Sequence, residues 1–140
     1  VDFRPIRAFS DARMGMTAHI VFEAYDKERP ATLSPVIVED VIRGEIGFDG
    51  LLMTDDLKMK ALGGAIADRI SGAYAAGCDI ALNCNFSMEE KRESAKALKS
   101  LRGKSETRAM AALGDLRKVD RNDTAEAYER LNALLKPVLV

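Results

Sequence analysis

The chain has 140 residues, 47% hydrophobic and 31% charged, a size and balance that suit one globular domain. Its 21 basic and 22 acidic residues are interspersed and leave a net charge of -1, which gives no electrostatic footprint for nucleic acid. No apolar run approaches the ~20 residues that a membrane-spanning helix needs, and no positively charged, signal-like segment opens the sequence.

In chain order, Arg4 to Ala12 reads as a weak helix with Pro5 in its first turn. Met14 to Phe22 reads as a buried strand, followed by a polar loop from Glu23 to Leu33. Arg29 is expected to anchor that loop by a salt bridge or a backbone contact. Ser34-Pro35 then starts a helix, the serine as cap and the proline at the first helical position. Val38, Val41 and Ile42 form its apolar stripe, and Gly44 and Gly47 are its stop signals. Leu51 to Thr54 is a second strand. A loop containing Gly63-Gly64 leads to a helix from about Ile66 to Ala76, ended by Gly77. Cys78 to Cys84 reads as a third strand. Ser87-Met88-Glu89-Glu90 is a capping box that opens a helix to about Leu101, with a solvated charged face at Glu89 to Glu93. Two further helices are expected, roughly Lys104 to Leu113 and Thr124 to Leu135, the last capped by Asp123 or Thr124.

Strands alternating with helices imply parallel strands joined by right-handed crossovers. Three strands alone would leave two unpaired edges, a hazard that natural proteins avoid. The expectation is therefore an α/β chain that forms part of a larger sheet or barrel, an intact small three-layer domain being the alternative. Cys78 and Cys84 would lie about 20 Å apart along a strand at ~3.3 Å per residue, too far for a disulfide. Reduced, buried thiols in a cytoplasmic protein are expected. Neither cysteine has zinc-site spacing, and the sequence holds one histidine, so no metal or other cofactor is expected.

The second strand carries the chemistry. Leu51, Met53 and Asp55 alternate with Leu52 and Thr54, so the first three share one face. Asp55 thus ends an apolar row where the strand meets a loop. A carboxylate there is costly unless something uses or neutralises it, and parallel-sheet enzymes place their chemistry at such strand ends.

Met16-Thr17-Ala18-His19, Glu28 to Pro35, Arg43 to Gly50, Thr54 to Met59 and Ala76 to Asp79 occur in that order. Together they resemble the C-terminal part of the catalytic domain of family 3 glycoside hydrolases, and most closely its bacterial β-N-acetylglucosaminidases of peptidoglycan recycling. The resemblance runs from about Phe3 to Asn85 and more loosely beyond. It implies a (β/α)8-type barrel, to which residues 1–140 would contribute the last three β/α units, at about 13–102, followed by C-terminal helices at 104–135. The implied reaction is hydrolysis, with retention, of terminal β-linked N-acetylglucosamine from a saccharide or muropeptide of the N-acetylglucosaminyl-1,6-anhydro-N-acetylmuramic acid type. By the same resemblance Asp55 is the nucleophile, forming a covalent glycosyl-aspartate.

One element of the family pattern is absent. In this subfamily the general acid/base is a histidine on a loop with a Lys-His-Phe-Pro-Gly-His-Gly-Asp-like motif, and no such motif occurs here. The resemblance puts it upstream of Met16, in a part of the barrel that this chain is expected to need for activity. His19 belongs to a different motif. It is expected either to pack as a hydrogen-bonded histidine or to line the sugar site, with Met59 and Asn85 as further candidate substrate contacts. Asp56 is expected to serve loop hydrogen bonding. Two other functions compete. A phosphoacceptor receiver domain also uses strand-end aspartates, but Asp55-Asp56 lacks the surrounding acidic set. A non-catalytic fragment of the enzyme is the other.

Overall fold

The computed structural model describes residues 3–114 and 124–135. Two short parallel strands, β1 (Met14–Met16) and β2 (Leu51–Met53), form its sheet, paired Met14 to Leu51 and Met16 to Met53. Around them lie the helices α1 (Arg4–Arg7), α2 (Ile66–Ala76), α3 (Met88–Ala97), α4 (Lys104–Gly114) and α5 (Thr124–Leu135), and a π-helix at Val36–Glu45. The Asp123 or Thr124 cap expected for α5 lies outside the described side chains. The parallel pairing with a helical crossover is the α/β arrangement that the alternating sequence implies.

Several elements are shorter than the sequence suggests. The first strand stops at Met16, although the Thr17 N–H still donates to the Met53 carbonyl at 2.9 Å. The third strand expected at Cys78–Cys84 is reduced to one parallel bridge between Met53 and Ile80. The reason lies in its hydrogen bonds. The N–H groups of Asp79 and Ile80 both converge on the Leu52 carbonyl, and the Leu82 N–H is taken at 2.8 Å by the Thr54 hydroxyl instead of a backbone carbonyl. A side chain has replaced one rung of the ladder. α1 ends at Arg7 instead of Ala12, and α3 at Ala97 instead of Leu101, where Leu98 turns extended.

Other local signals act as read. Ser34 Oγ accepts the Ile37 N–H at 3.2 Å and so caps the helix that Pro35 begins. Its hydroxyl also donates to Asp26, whose other carboxylate oxygen accepts the N–H groups of Glu28 and Arg29 at 3.0 and 3.1 Å. Arg29 therefore anchors the polar loop through its backbone. The helix winds wide at its end, where the Ile46 N–H reaches the Val41 carbonyl five residues back. Gly44 falls inside it, and Gly47, at φ 78°, ends it. α2 spans the expected residues, with Ile70 and Ala73 buried, and Gly77 closes it at φ 107°. Both halves of the Ser87–Glu90 capping box are formed.

The main core lies between the sheet, the π-helix and α2, built from Val38, Val41, Phe48, Leu52 and Ala73 among others. Phe48 packs so closely on Gly15 and Gly50 that a Cβ on either would sit within 2.8 Å of its ring. A smaller cluster of Leu57, Leu62 and Ile70 lies under the loop that follows β2. Of the two thiols, Cys78 is buried and Cys84 is exposed, so the expectation of two buried cysteines holds for one. Both are free. Among the described residues no helix is long and apolar enough to cross a membrane.

Candidate active site

Asp55 lies one residue beyond the Thr54 position that closes the β2 ladder. Leu51 is buried, Met53 and Asp55 are half-buried, and the alternate positions Leu52 and Thr54 are buried. The apolar row thus opens toward solvent as it approaches the carboxylate. Asp55 Oδ1 accepts the Asp56 N–H at 2.7 Å, and among the described residues this is its one hydrogen bond. The second carboxylate oxygen is left for another partner.

Asp56 organises the turn, as its sequence position suggests. Its carboxylate accepts the N–H groups of Lys58 and Cys84 at 3.1 and 3.3 Å, which ties the end of β2 to the segment after Ile80. Its carbonyl oxygen accepts the Met59 N–H at 3.0 Å and stands 3.0 Å from His19 Nε2. The other ring nitrogen of His19 lies 2.8 Å from Thr32 Oγ1. His19, from the segment after β1, is therefore a packed and fully engaged histidine. Met59 is exposed, as is Asn85, whose carbonyl accepts Lys58 Nζ at 3.1 Å. The structure gathers Asp55, His19 and the Met59 backbone around one residue, Asp56. Asn85 joins them through Lys58.

Three anchors of this loop carry no sequence signal of their own. Arg69, from α2, donates through Nη1 to the carbonyls of Leu57 and Met59 at 2.7 and 3.3 Å, and through Nε to those of Gly63 and Gly64. The glycine pair is pinned by a guanidinium. Lys58 forms an ion pair with Glu90 at 2.9 Å, and that carboxylate also accepts the Ser87 N–H. The Lys58 hydrogen bond, followed by that of the Ser87 N–H, holds Glu90 below the usual carboxylate range. Thr32, wholly buried, meets His19, Thr17 and the Ala18 carbonyl.

At the opposite end of the strands stands a second polar cluster. Asp79, buried, receives Arg43, Arg108, the Ser105 hydroxyl and the Leu52 N–H. Arg43 also donates to the carbonyls of Phe48 and Gly50. Burial pushes the Arg43 guanidinium down, and the neighbouring Arg108 charge adds to this against the pull of Asp79. For Arg108, burial also acts downward, but hydrogen bonds and charge from Asp49 and Asp79 outweigh it and raise the group. Asp49, bonded by Arg108, is held low in return. Four donors converge on the one buried carboxylate of Asp79, which suits a structural clamp at the strand starts. A separate cavity of about 270 Å³ lies beneath β1, walled by apolar residues such as Phe9, Met16 and Phe48, and Asp55 does not line it.

Residues 2–119 match the model of the glycosyl hydrolase family 3 N terminal domain. A β-hexosaminidase of Chromobacterium violaceum is 43% identical over 88 residues, covering 60% of this chain and 24% of that protein. One from Alkalilimnicola ehrlichii is 40% identical over 88 residues, at 60% and 25% coverage. The chain thus spans about a quarter of the length of these relatives. Among solved structures, a glycoside hydrolase family 3 β-N-acetylglucosaminidase from Paenibacillus sp. aligns with a TM-score of 0.65 at 28% identity, over 85% of this chain and 26% of that one. The β-N-acetylglucosaminidase of Thermotoga maritima aligns with a TM-score of 0.60 at 28% identity, over 84% and 28%.

Proposed function

The chain belongs to glycosyl hydrolase family 3, by its N-terminal domain, and on that footing we propose that it forms part of a retaining β-N-acetylglucosaminidase. Asp55 is its nucleophile. The observation that carries this is the position of Asp55: a half-buried carboxylate at the end of a parallel strand, held by one hydrogen bond and with an oxygen to spare. A carboxylate so mounted keeps a fixed aim, which attack on an anomeric carbon requires.

In the proposed reaction an Asp55 oxygen bonds to the anomeric carbon as the glycosidic C–O bond breaks, and the leaving oxygen takes a proton from a general acid. Water, deprotonated by the same group, then attacks the glycosyl-aspartate and releases Asp55. Among the described residues, the two candidates beside Asp55 are already engaged, His19 at both nitrogens and the Asp56 carboxylate by the N–H groups of Lys58 and Cys84. We assign the acid to a segment outside these residues, in keeping with the quarter of its relatives that the chain spans. The parallel strands are then one portion of a (β/α)8 barrel. The natural substrate is a cytoplasmic muropeptide or saccharide ending in β-linked N-acetylglucosamine, and Met59 and Asn85, both exposed near the loop, line its site. General acid–base help is worth ~10²–10⁴-fold, so the chain by itself hydrolyses negligibly.

The test joins this chain to the upstream portion of the Chromobacterium violaceum relative and assays an aryl N-acetyl-β-glucosaminide. Turnover is expected in the joined protein, along with covalent trapping by a 5-fluoro glycoside on Asp55. Asp55→Ala should abolish both. Trapping that persists in Asp55→Ala would rule out the nucleophile, and full activity of the isolated 140 residues would rule out the external acid.

A further inference from the structure

His19 bridges two segments that the sequence keeps far apart. Its Nε2 faces the carbonyl oxygen of Asp56 and its Nδ1 faces Thr32 Oγ1. A carbonyl oxygen can only accept, so Nε2 carries a proton. In the neutral ring Nδ1 then offers a lone pair, and of the two acceptors within reach of the single Thr32 hydroxyl proton it is the nearer, at 2.8 Å against 3.1 Å for the Ala18 carbonyl. Thr32 Oγ1 in turn stands 2.8 Å from Thr17 Oγ1, which donates in this arrangement. Thr17 and Thr32 are buried, at 4% and 0% exposed, so this short relay is shielded from solvent.

The relay ends on Asp56, the residue whose N–H holds the Asp55 carboxylate. Asp56 is held at all its polar groups: its N–H by Asp55 Oδ1, its carbonyl by His19 and the Met59 N–H, and its carboxylate by the N–H groups of Lys58 and Cys84. Of these contacts, His19 alone reaches the loop from the segment that follows β1. The Asp56 N–H cannot turn without turning the carboxylate it holds.

We infer that His19 is a positioning residue for the nucleophile, aiming the Asp55 carboxylate through the Asp56 backbone while leaving neither ring nitrogen for the sugar. This rests on Asp55 being the nucleophile. A misplacement of ~1 Å at a reacting group can cost about 10²-fold in rate.

Two measurements test it. His19 is the one histidine of the chain, so long-range proton–nitrogen correlation on the ¹⁵N-labelled protein, at a pH where the ring is neutral, reads its tautomer without assignment work. The Nε2–H form is expected, and a predominant Nδ1–H form overturns the inference. The second compares His19→Ala with His19→Gln, whose amide nitrogen can replace the Nε2 donor, in the joined protein. His19→Ala should lower kcat about 100-fold with KM unchanged, and His19→Gln should recover most of it. A raised KM with kcat preserved would make His19 a substrate contact, and a glutamine variant no better than alanine would remove the hydrogen bond as the cause. If His19→Ala fails to fold, the glutamine variant and the tautomer decide. Retained turnover in Asp55→Ala would sink the nucleophile and with it the purpose given to His19, yet leave the tautomer result standing, so the two failures are told apart.

Discussion

Arg43 Nη2 stands 2.9 Å from Asp79 Oδ2, and the two side chains are 10% and 2% exposed. The same Asp79 oxygen accepts the Leu52 N–H at 2.9 Å, so one buried carboxylate joins the last turn of the π-helix to the middle of β2. Arg108 and Ser105 add α4 to the same group. The end of the strand that carries Asp55 is thus supported from its other end.

Removing one member of a buried pair strands the other charge, which costs ~3–5 kcal/mol. Asp79→Ala should lose stability on that scale in urea unfolding followed by circular dichroism. Arg7→Ala serves as the contrast. Its pair with Glu45 is as short, at 2.7 Å, but both side chains are more than 40% exposed. Exposed pairs contribute ~0–1 kcal/mol. Equal losses in the two variants would show that burial does not set the value of these pairs.

Gly77→Ala should also destabilise the chain. At φ 107° an alanine pays left-handed strain of ~1–3 kcal/mol, and its Cβ would run into the Glu39 carboxylate and come within 2.9 Å of Val38. The expected readout is a melting temperature lower by several degrees. A neutral result would mean that the end of α2 can rearrange without disturbing the π-helix.

Arg69→Met removes the clamp from four carbonyls between Leu57 and Gly64 while retaining much of the side chain's apolar bulk. Amide exchange over residues 57–64 should accelerate, with α2 little changed. Lysine should not restore protection, because a single ammonium lacks the forked geometry that reaches both ends of the loop. In the joined enzyme kcat should fall with the loop's order. Unaltered exchange in Arg69→Met would leave the clamp without a role.

The two thiols should differ in reactivity. Burial first, and the Asp79 charge second, push the Cys78 thiol up to about 12, and its S–H faces the Thr32 carbonyl. Cys84 is exposed. Alkylation near pH 8 under native conditions should add one group, at Cys84, and a second only after unfolding, as read by intact mass and peptide mapping. Rapid labelling of Cys78 in the folded protein would contradict the packing of the core at the start of the third segment.

Stability should fall in acid. The Ser34 hydroxyl, then backbone N–H groups, hold Asp26 below the usual carboxylate range, Arg108 does the same for Asp49, and Lys58 for Glu90. In each case the folded state binds the proton less readily than the unfolded chain. The stabilisation is therefore complete above the unfolded values of ~4 and lost as pH falls through the lower folded ones. The melting temperature should hold between about pH 7 and 5 and drop below ~4, more gently at high salt because Asp49 is a surface group. A protein that becomes more stable on acidification below pH ~4 would reverse the sign.

The sequence by itself determined what is encoded within a few residues. The periodicity of α2, its Gly77 stop, the Ser34-Pro35 start and the Ser87–Glu90 box are local hydrogen-bond and dihedral preferences, and each is present. The register of its motifs, from Met16 to Asp79, carried the family, and strand alternation put Asp55 at an opening row. Tertiary structure alone decided the rest. Asp79 ended a recognised motif, but its partners lie 26 to 36 residues away, and no local pattern announces a carboxylate with four donors. The third strand faded because the Thr54 side chain captured the Leu82 N–H, a competition that only juxtaposed segments can stage. Local sequence leaves His19 between packing and sugar contact for the same reason. The partners that engage its two nitrogens, Thr32 and the Asp56 carbonyl, come to it from 13 and 37 residues along the chain.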